Sequence, residues 1–162
     1  MLLLLIAVIA IALGVVAAGQ MGKLRGQRPA DLGVRDGMLK RPEPGALNSV
    51  SSQSQDNATS IAPIIFTGEP AAAFTRLQMV ISGMPRATIV ASQPGYLHVE
   101  FQTPLLKFVD DAEFLLDART SRIEMRSASR LGQRDFGTNR ARLERIRDAF
   151  ETRQAGATRP MV

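Results

Sequence analysis

The side chains best suited to chemistry in this 162-residue chain are acids and one histidine on two neighbouring strand-like runs. Asp111 and Glu113 lie two positions apart, so they share one face of a strand. His98 and Glu100 have the same spacing in the preceding run. Together these four side chains form a candidate metal cluster, of the kind that a metal-dependent hydrolase uses to activate water.

A purely structural arrangement also explains these acids, without a metal. On a solvated sheet face, Arg122 and Arg126 of the next strand would offset them. Asp110 and Asp111 are adjacent and point to opposite faces, so they are not an acid–base pair. One of the two must therefore lie on the apolar face, where an ionised carboxylate needs a partner. A buried pair with an arginine of residues 130–135 would satisfy it.

The loop at residues 126–140 is the second candidate, because it is dense in arginine, serine and amide side chains and leads into a helix. Backbone N–H groups at a helix start, with arginines beside them, suit an anion. The loop lacks the glycine pattern and the lysine of a nucleotide-binding P-loop. The alternative is a structural polar network of Asp110, Asp111 and Asp135, with Asn139 tying the loop. The candidate anion-binding residues are Arg126, Ser127, Ser129, Arg130, Asn139 and Arg140.

Composition removes several classes of function. Cysteine is absent, which excludes disulfides, thiolate metal sites and a cysteine nucleophile. His98 is the one histidine and has no nucleophile motif beside it, so neither an enzyme nor a cofactor is predicted from it. The positive charge lies late in the chain, with eleven arginines against five acids over residues 119–159. One tyrosine and no tryptophan disfavour single-stranded nucleic acid as a partner.

The periodicity after residue 60 predicts an α+β domain. Apolar residues at helical spacing indicate a helix over 70–83, with Thr67 as its cap, and another over 139–152, with Thr138 as its cap. Alternation and turn residues indicate strands at 88–92, 96–103, 108–116 and 122–129. We expect one four-stranded antiparallel sheet with two helices packed on one face and the other face toward water.

An N-terminal apolar segment precedes this domain. Residues 2–18 carry no polar side chain, which predicts a transmembrane helix within residues 1–22. A signal peptide cut before Gly19 is one alternative. We favour an uncleaved signal-anchor in the cell membrane, because Lys23, Arg25 and further basic residues follow it. Taken literally, the positive-inside rule places these basic residues in the cytoplasm, whereas a basic segment before the present start would reverse that orientation, so the side of the membrane stays open.

Three further boundaries complete the division of the chain. Glycine and proline punctuate residues 23–60, which indicates a tether and an irregular lead-in. The domain then occupies residues 61–153. Residues 154–162 are predicted to be a disordered tail.

Several strings in this order resemble an uncharacterised bacterial and plastid family, domain of unknown function 1499. They lie at residues 28–37, at Asn48 with 50–53, at 96–101, at 108–114, and from Arg126 to Arg140. The resemblance implies no activity. In relatives a cysteine pair stands near residues 41 and 49, and this chain has Ser49 at the second position. The oxidising compartment that such a pair would imply for relatives is therefore not inferred for this chain.

These observations together predict a membrane-anchored envelope protein. Its domain is expected to be a non-enzymatic binding or scaffold domain with a possible anionic ligand or an envelope protein partner. The metal-dependent hydrolase using His98, Glu100, Asp111 and Glu113 is the alternative.

Overall fold

The computed structural model describes residues 1–157. Three helices and six strands follow one another along these residues. The elements are α1 (Leu2–Gln20), β1 (Ser49–Ser51), β2 (Ile64–Ile65), α2 (Pro70–Ser82), β3 (Ala87–Gln93), β4 (Tyr96–Gln102), β5 (Val109–Asp117), β6 (Arg122–Ser129) and α3 (Thr138–Ala157).

The antiparallel α+β character is confirmed, but the prediction of four strands is wrong. The sheet has the order β1-β6-β5-β4-β3, and β2 also pairs with β6. The two additional strands have three and two residues, too few to show an alternating pattern. They form because the backbone of β6 offers hydrogen bonds along its outer side, to β1 near one end and to β2 near the other.

Two predicted helix caps are also wrong. The residue before α2 is Glu69, not Thr67, and Pro70 occupies the first turn, where its missing N–H is tolerated. At α3 the cap is supplied by Asp135 rather than Thr138. Its Oδ2 accepts the N–H of Asn139 at 2.7 Å and its Oδ1 accepts the N–H of Gly137 at 3.1 Å.

The last helix extends beyond its predicted end. It runs to Ala157, so the first residues of the predicted disordered tail are helical. No proline interrupts this stretch, which leaves the helix free to continue. The remainder of that prediction, residues 158–162, lies outside the described residues.

One cluster of buried apolar side chains contains residues of α2, of α3 and of one face of the sheet. The face comes from alternate positions of the strands, as the strict alternation of β4 predicts. Burying such a face against helices supplies the main stabilisation of the domain. Its fully buried members include Leu97, Val99, Phe114, Ile123 and Met125 from strands and Leu77, Ile81, Leu143, Ile146 and Phe150 from helices.

The second sheet face was expected to meet water, and that expectation is wrong. His98, Asp111, Glu113 and Arg126 point to this face and are all buried. The cover is the lead-in, residues 23–60, which was predicted to be a tether and an irregular segment. It folds back over the sheet, where the backbone N–H of Gly33 donates to Oε1 of Glu113 at 2.7 Å.

Candidate functional site

Most of the charged side chains predicted to do chemistry meet on the second sheet face. We call them the second-face network: Tyr96, His98, Glu100, Asp111, Glu113, Arg126 and Arg130, with Arg28 and Gly33 of the lead-in. The strand register brings them together, because His98 pairs with Glu113 and Glu100 pairs with Asp111 between β4 and β5. Glu113 in turn pairs with Arg126 of β6.

Asp111 is held by two donors. Arg130 donates from Nε to Oδ2 at 2.8 Å and from Nη2 to Oδ1 at 2.7 Å, and Nε2 of His98 lies 2.7 Å from Oδ1. Burial raises the pKa of Asp111, but the hydrogen bonds from Arg130 and His98 outweigh it, so the net pKa lies below the ordinary value. Asp111 is therefore an ionised acceptor, and the proton of this contact resides on Nε2 of His98.

Glu100 bridges the sheet and the lead-in. Its Oε1 accepts hydrogen bonds from Nη2 of Arg130 and from both Nε and Nη2 of Arg28, at 2.9 and 2.6 Å for the latter pair. Burial raises the pKa of Glu100, and the two guanidinium groups lower it further than burial raises it. One carboxylate thus joins a buried arginine of the domain to a half-exposed arginine of the segment that follows α1.

Glu113 is fully buried and accepts from three sides. Besides Gly33, the Tyr96 hydroxyl donates to Oε1 at 2.8 Å and Nη1 of Arg126 donates to Oε2 at 2.9 Å. Burial raises the pKa of Tyr96, and the adjacent Glu113 carboxylate raises it further, because a tyrosinate here would face a like charge. Tyr96 is consequently a hydrogen-bond donor at neutral pH.

This geometry does not favour the metal cluster. Within residues 1–157 no group of three or more histidine, aspartate or glutamate side chains is arranged to hold a metal ion. His98, Glu100, Asp111 and Glu113 do share one face, but guanidinium groups occupy the carboxylate oxygens that a metal would need. Of the two arginines expected to offset the acids, Arg126 does so, whereas Arg122 lies exposed opposite Asp117 at the far end of β6.

A second polar cluster lies on the helix side of the sheet around Asp110. Its partner is Arg142 of α3, which donates from Nη2 to Oδ2 of Asp110, and not an arginine of residues 130–135 as predicted. Nη1 of Arg142 also donates to Ser127 and Asn139, and its guanidinium lies 4.8 Å from the ring centroid of Phe101. The partner comes from a helix because α3 crosses the face of the sheet to which Asp110 points.

Asn139 is the centre of this second cluster. Its Oδ1 accepts from Ser127 at 2.5 Å and from Arg142 at 2.6 Å, and its Nδ2 donates to the Asn48 carbonyl at 2.9 Å and to Oγ of Ser129 at 3.0 Å. One fully buried amide therefore joins α3, β6 and the residue preceding β1. This supports the structural alternative for Asn139 and for Asp135, which caps α3.

The six residues of the predicted anion site do not converge on one point. Arg126 and Arg130 lie on the second face and are paired with carboxylates. Ser127, Ser129 and Asn139 lie on the helix side and bond to one another or to Arg142. Arg140 donates to the carbonyl of Ala58 at 3.2 Å. Anion binding at this loop stays a prediction. The guanidinium groups of Arg126 and Arg130 are already paired with carboxylates.

Sequence reasoning missed Arg28, Gly33, Asn48 and Arg142. The sequence shows that a buried carboxylate needs a cationic partner. Arg142 stands one helical turn after Asn139, so helical spacing along α3 could have identified Arg142 as that partner. Nothing local marks Arg28 or Gly33, because their contacts join residues 72 and 80 positions apart.

The end of α1 contacts the β4–β5 loop, at what we call the anchor junction: Gly19, Gln20, Leu105 and Leu106. Nε2 of Gln20 donates to the carbonyl of Leu105 at 2.8 Å. Gly19 is buried, and a Cβ atom there would lie 2.5 Å from the Leu106 carbonyl oxygen, so only glycine fits. Within residues 1–157, α1 is the one helix long and apolar enough to cross a bilayer, a property it shares with signal sequences.

Fold and site together define the class: a small α+β domain with buried ion-pair networks, carrying an apolar N-terminal helix. Residues 41–150 match the family described as Protein of unknown function (DUF1499). The match covers more than half of the chain, so the chain belongs to that family, which confirms the resemblance seen in the sequence. Comparisons with curated proteins and with solved structures found no match.

Proposed function

We propose that this is a single-pass membrane protein in which α1 remains as an uncleaved anchor and holds a non-enzymatic binding or scaffold domain of the bacterial envelope at the bilayer surface. The observation that carries the proposal is the anchor junction. A helix that served only for export would have no reason to fit its last turn against the mature domain.

The helical state of the cleavage region supports retention. A signal peptidase would cut between Ala18 and Gly19, but both lie inside α1, and Gly19 is buried against Leu106. Proteolysis favours exposed and irregular segments. With 19 residues, α1 is about 28 Å long, close to the thickness of a bilayer core.

The lead-in supports a fixed orientation of the domain. Arg28 binds Glu100 and Gly33 binds Glu113 soon after α1 ends, so the chain between anchor and sheet is bound to the domain. The charged side chains that looked catalytic perform this attachment in our proposal. A domain held in this way presents its outer surfaces at a constant height and angle above the membrane, which suits a binding or scaffold role.

Two measurements on the full chain test the proposal. The intact mass of the protein extracted from membranes should correspond to the complete chain. Alkaline phosphatase and, separately, a fluorescent protein fused after Val162 should report one side of the membrane for the domain. Recovery of a soluble product that lacks residues 1–18 would contradict the anchor.

A further inference from the structure

We propose that the two loops at the anchor end of the sheet insert apolar side chains into the bilayer that α1 spans, so that lipid covers this surface. We call residues 103–108 and 130–137 the anchor-end loops. The inference rests on the proposed function, since it requires α1 to remain in the membrane.

Topology places both loops beside the end of α1. β4 ends at Gln102, β5 begins at Val109 and β6 ends at Ser129, so both loops leave the same end of the sheet. The first loop touches α1 directly through Leu105 and Leu106. The second is held against the lead-in, because a Cβ atom on Gly26 would lie 2.7 Å from Cβ of Arg130 and 3.1 Å from Cγ of Leu131.

The position of α1 sets the height of these loops. A helix of about 28 Å that spans the hydrocarbon core places its last residues at the edge of that core. Gly19 and Gln20 are those residues, and they contact the first anchor-end loop. The loops therefore lie at the level of the lipid headgroups. From that level, an apolar side chain is long enough to reach the acyl chains.

Three apolar side chains of these loops point away from the protein. Leu105 is 59% exposed, Leu131 46% and Phe136 99%. A cleft of about 340 Å³ opens between the loops, and Phe108, Leu131 and Phe136 contribute to its walls. An aromatic ring left wholly in water is unfavourable, and covering it with acyl chains removes that cost.

The backbone fixes Phe136 in its outward position. Its φ is +52°, a left-handed conformation that residues with a side chain seldom adopt. The Asp135 side chain holds this turn by accepting from Gly137 and Asn139. A fully exposed phenylalanine in a strained backbone conformation, held by hydrogen bonds to the Asp135 side chain, suits a preformed insertion point.

Charge around the loops suits anionic lipids. Lys23 and Arg25 follow α1 and are exposed, and Lys107 and Arg134 belong to the two loops. Basic side chains beside apolar ones at an interface attract anionic headgroups while the apolar groups enter the acyl region.

Depth-dependent quenching tests this inference, and the absence of cysteine makes single-site labelling clean. The full chain is reconstituted into vesicles of equal parts phosphatidylcholine and phosphatidylglycerol, with and without a quencher on the acyl chain. An environment-sensitive fluorophore is placed on L105C or F136C. Matched labels go on A12C in the middle of α1 and on R119C, an exposed site at the opposite end of the sheet.

We expect the labels at 12, 105 and 136 to lose most of their emission to the quencher and the label at 119 to keep it. Quenching at 12 without quenching at 105 and 136 would overturn this inference and leave the anchor intact. A label at 105 or 136 that is sheltered from water yet unquenched would show that protein, from the same chain or a second copy, covers this surface, and would also overturn the inference. An unquenched label at 12 would overturn the proposed anchor itself.

Discussion

Arg130 binds Asp111 through two hydrogen bonds, from Nε to Oδ2 at 2.8 Å and from Nη2 to Oδ1 at 2.7 Å. The same Nη2 donates to Glu100, which also accepts from Arg28. The ion pair of Arg130 and Asp111, which joins the end of β6 to β5, is thereby linked to the segment that follows α1. The network explains why so many charges occur on a sheet face that is closed to water.

Removing Arg130 should destabilise the domain far more than removing Arg28, although both bind Glu100. The Arg130 side chain is 6% exposed and that of Arg28 51%. R130A removes the bidentate partner of the buried Asp111 carboxylate and one of the two guanidinium partners of Glu100, and should cost about 3–5 kcal/mol. R28A breaks a pair in contact with water and should cost about 1 kcal/mol or less. Thermal and denaturant unfolding of the full chain in micelles measures both, and equal losses would contradict the network.

Tyr96 should titrate above its ordinary pKa of 10.0, because burial and the Glu113 carboxylate both oppose the tyrosinate. It is the one tyrosine and the chain has no tryptophan, so tyrosinate absorbance reports it alone. In E113Q the pKa should move back toward the ordinary value, since one of its two main causes is removed. The unfolded protein is the reference, and a native midpoint equal to it would refute the buried hydrogen bond.

Acid should weaken the domain through Glu100 and Asp111. Their folded pKa values lie below the ordinary 4.5 and 3.8, so their stabilisation is complete above those values and is lost as the pH falls through the folded pKa. The difference in stability between the parent and E100Q should therefore shrink from neutral pH to about pH 3. E151Q, at an exposed site of α3, is the control. A difference that does not change with pH would exclude this role of Glu100.

Asn139 should contribute more to stability than an ordinary asparagine. Its amide makes hydrogen bonds to four partners while fully buried. N139A leaves several of these groups unsatisfied, and each unsatisfied group costs about 1–3 kcal/mol. Because the neighbouring groups relax and recover part of this cost, the variant should lose roughly 2–4 kcal/mol of stability. N57A, in an exposed loop, should be neutral. Melting temperatures of the two variants give the comparison, and similar values would remove Asn139 from its central position.

The sequence predicted the parts of this fold that depend on local periodicity. Leu97, Val99 and Phe101 alternate with polar residues, and they are buried as expected. The same alternation placed His98 correctly on the other face, yet it wrongly suggested a face in water. The cover comes from a segment punctuated by glycine and proline, and its contacts with the sheet span 72 to 80 residues.

Partners of the buried charges were predictable in kind but not in identity. One of two adjacent aspartates had to meet a cation on the apolar face, and Asp110 does so. That the cation is Arg142 depends on how α3 crosses the sheet, which no local pattern specifies. Similarly, arginines at 126 and 130 look like anion-binding residues until the register shows that Glu113 and Asp111 already accept from them.

The contact between α1 and the domain is the central claim, and thiol cross-linking in membranes tests it most directly. In Q20C/L105C a short bifunctional thiol reagent should join the two cysteines, because Gln20 contacts the Leu105 carbonyl at 2.8 Å. Q20C/R119C, with its second site at the opposite end of the sheet, should not cross-link. Adding G19V should abolish the product, whereas G14V, where a Cβ atom would meet nothing, should leave it. Cross-linking of both pairs alike, or of neither, would contradict the docked anchor.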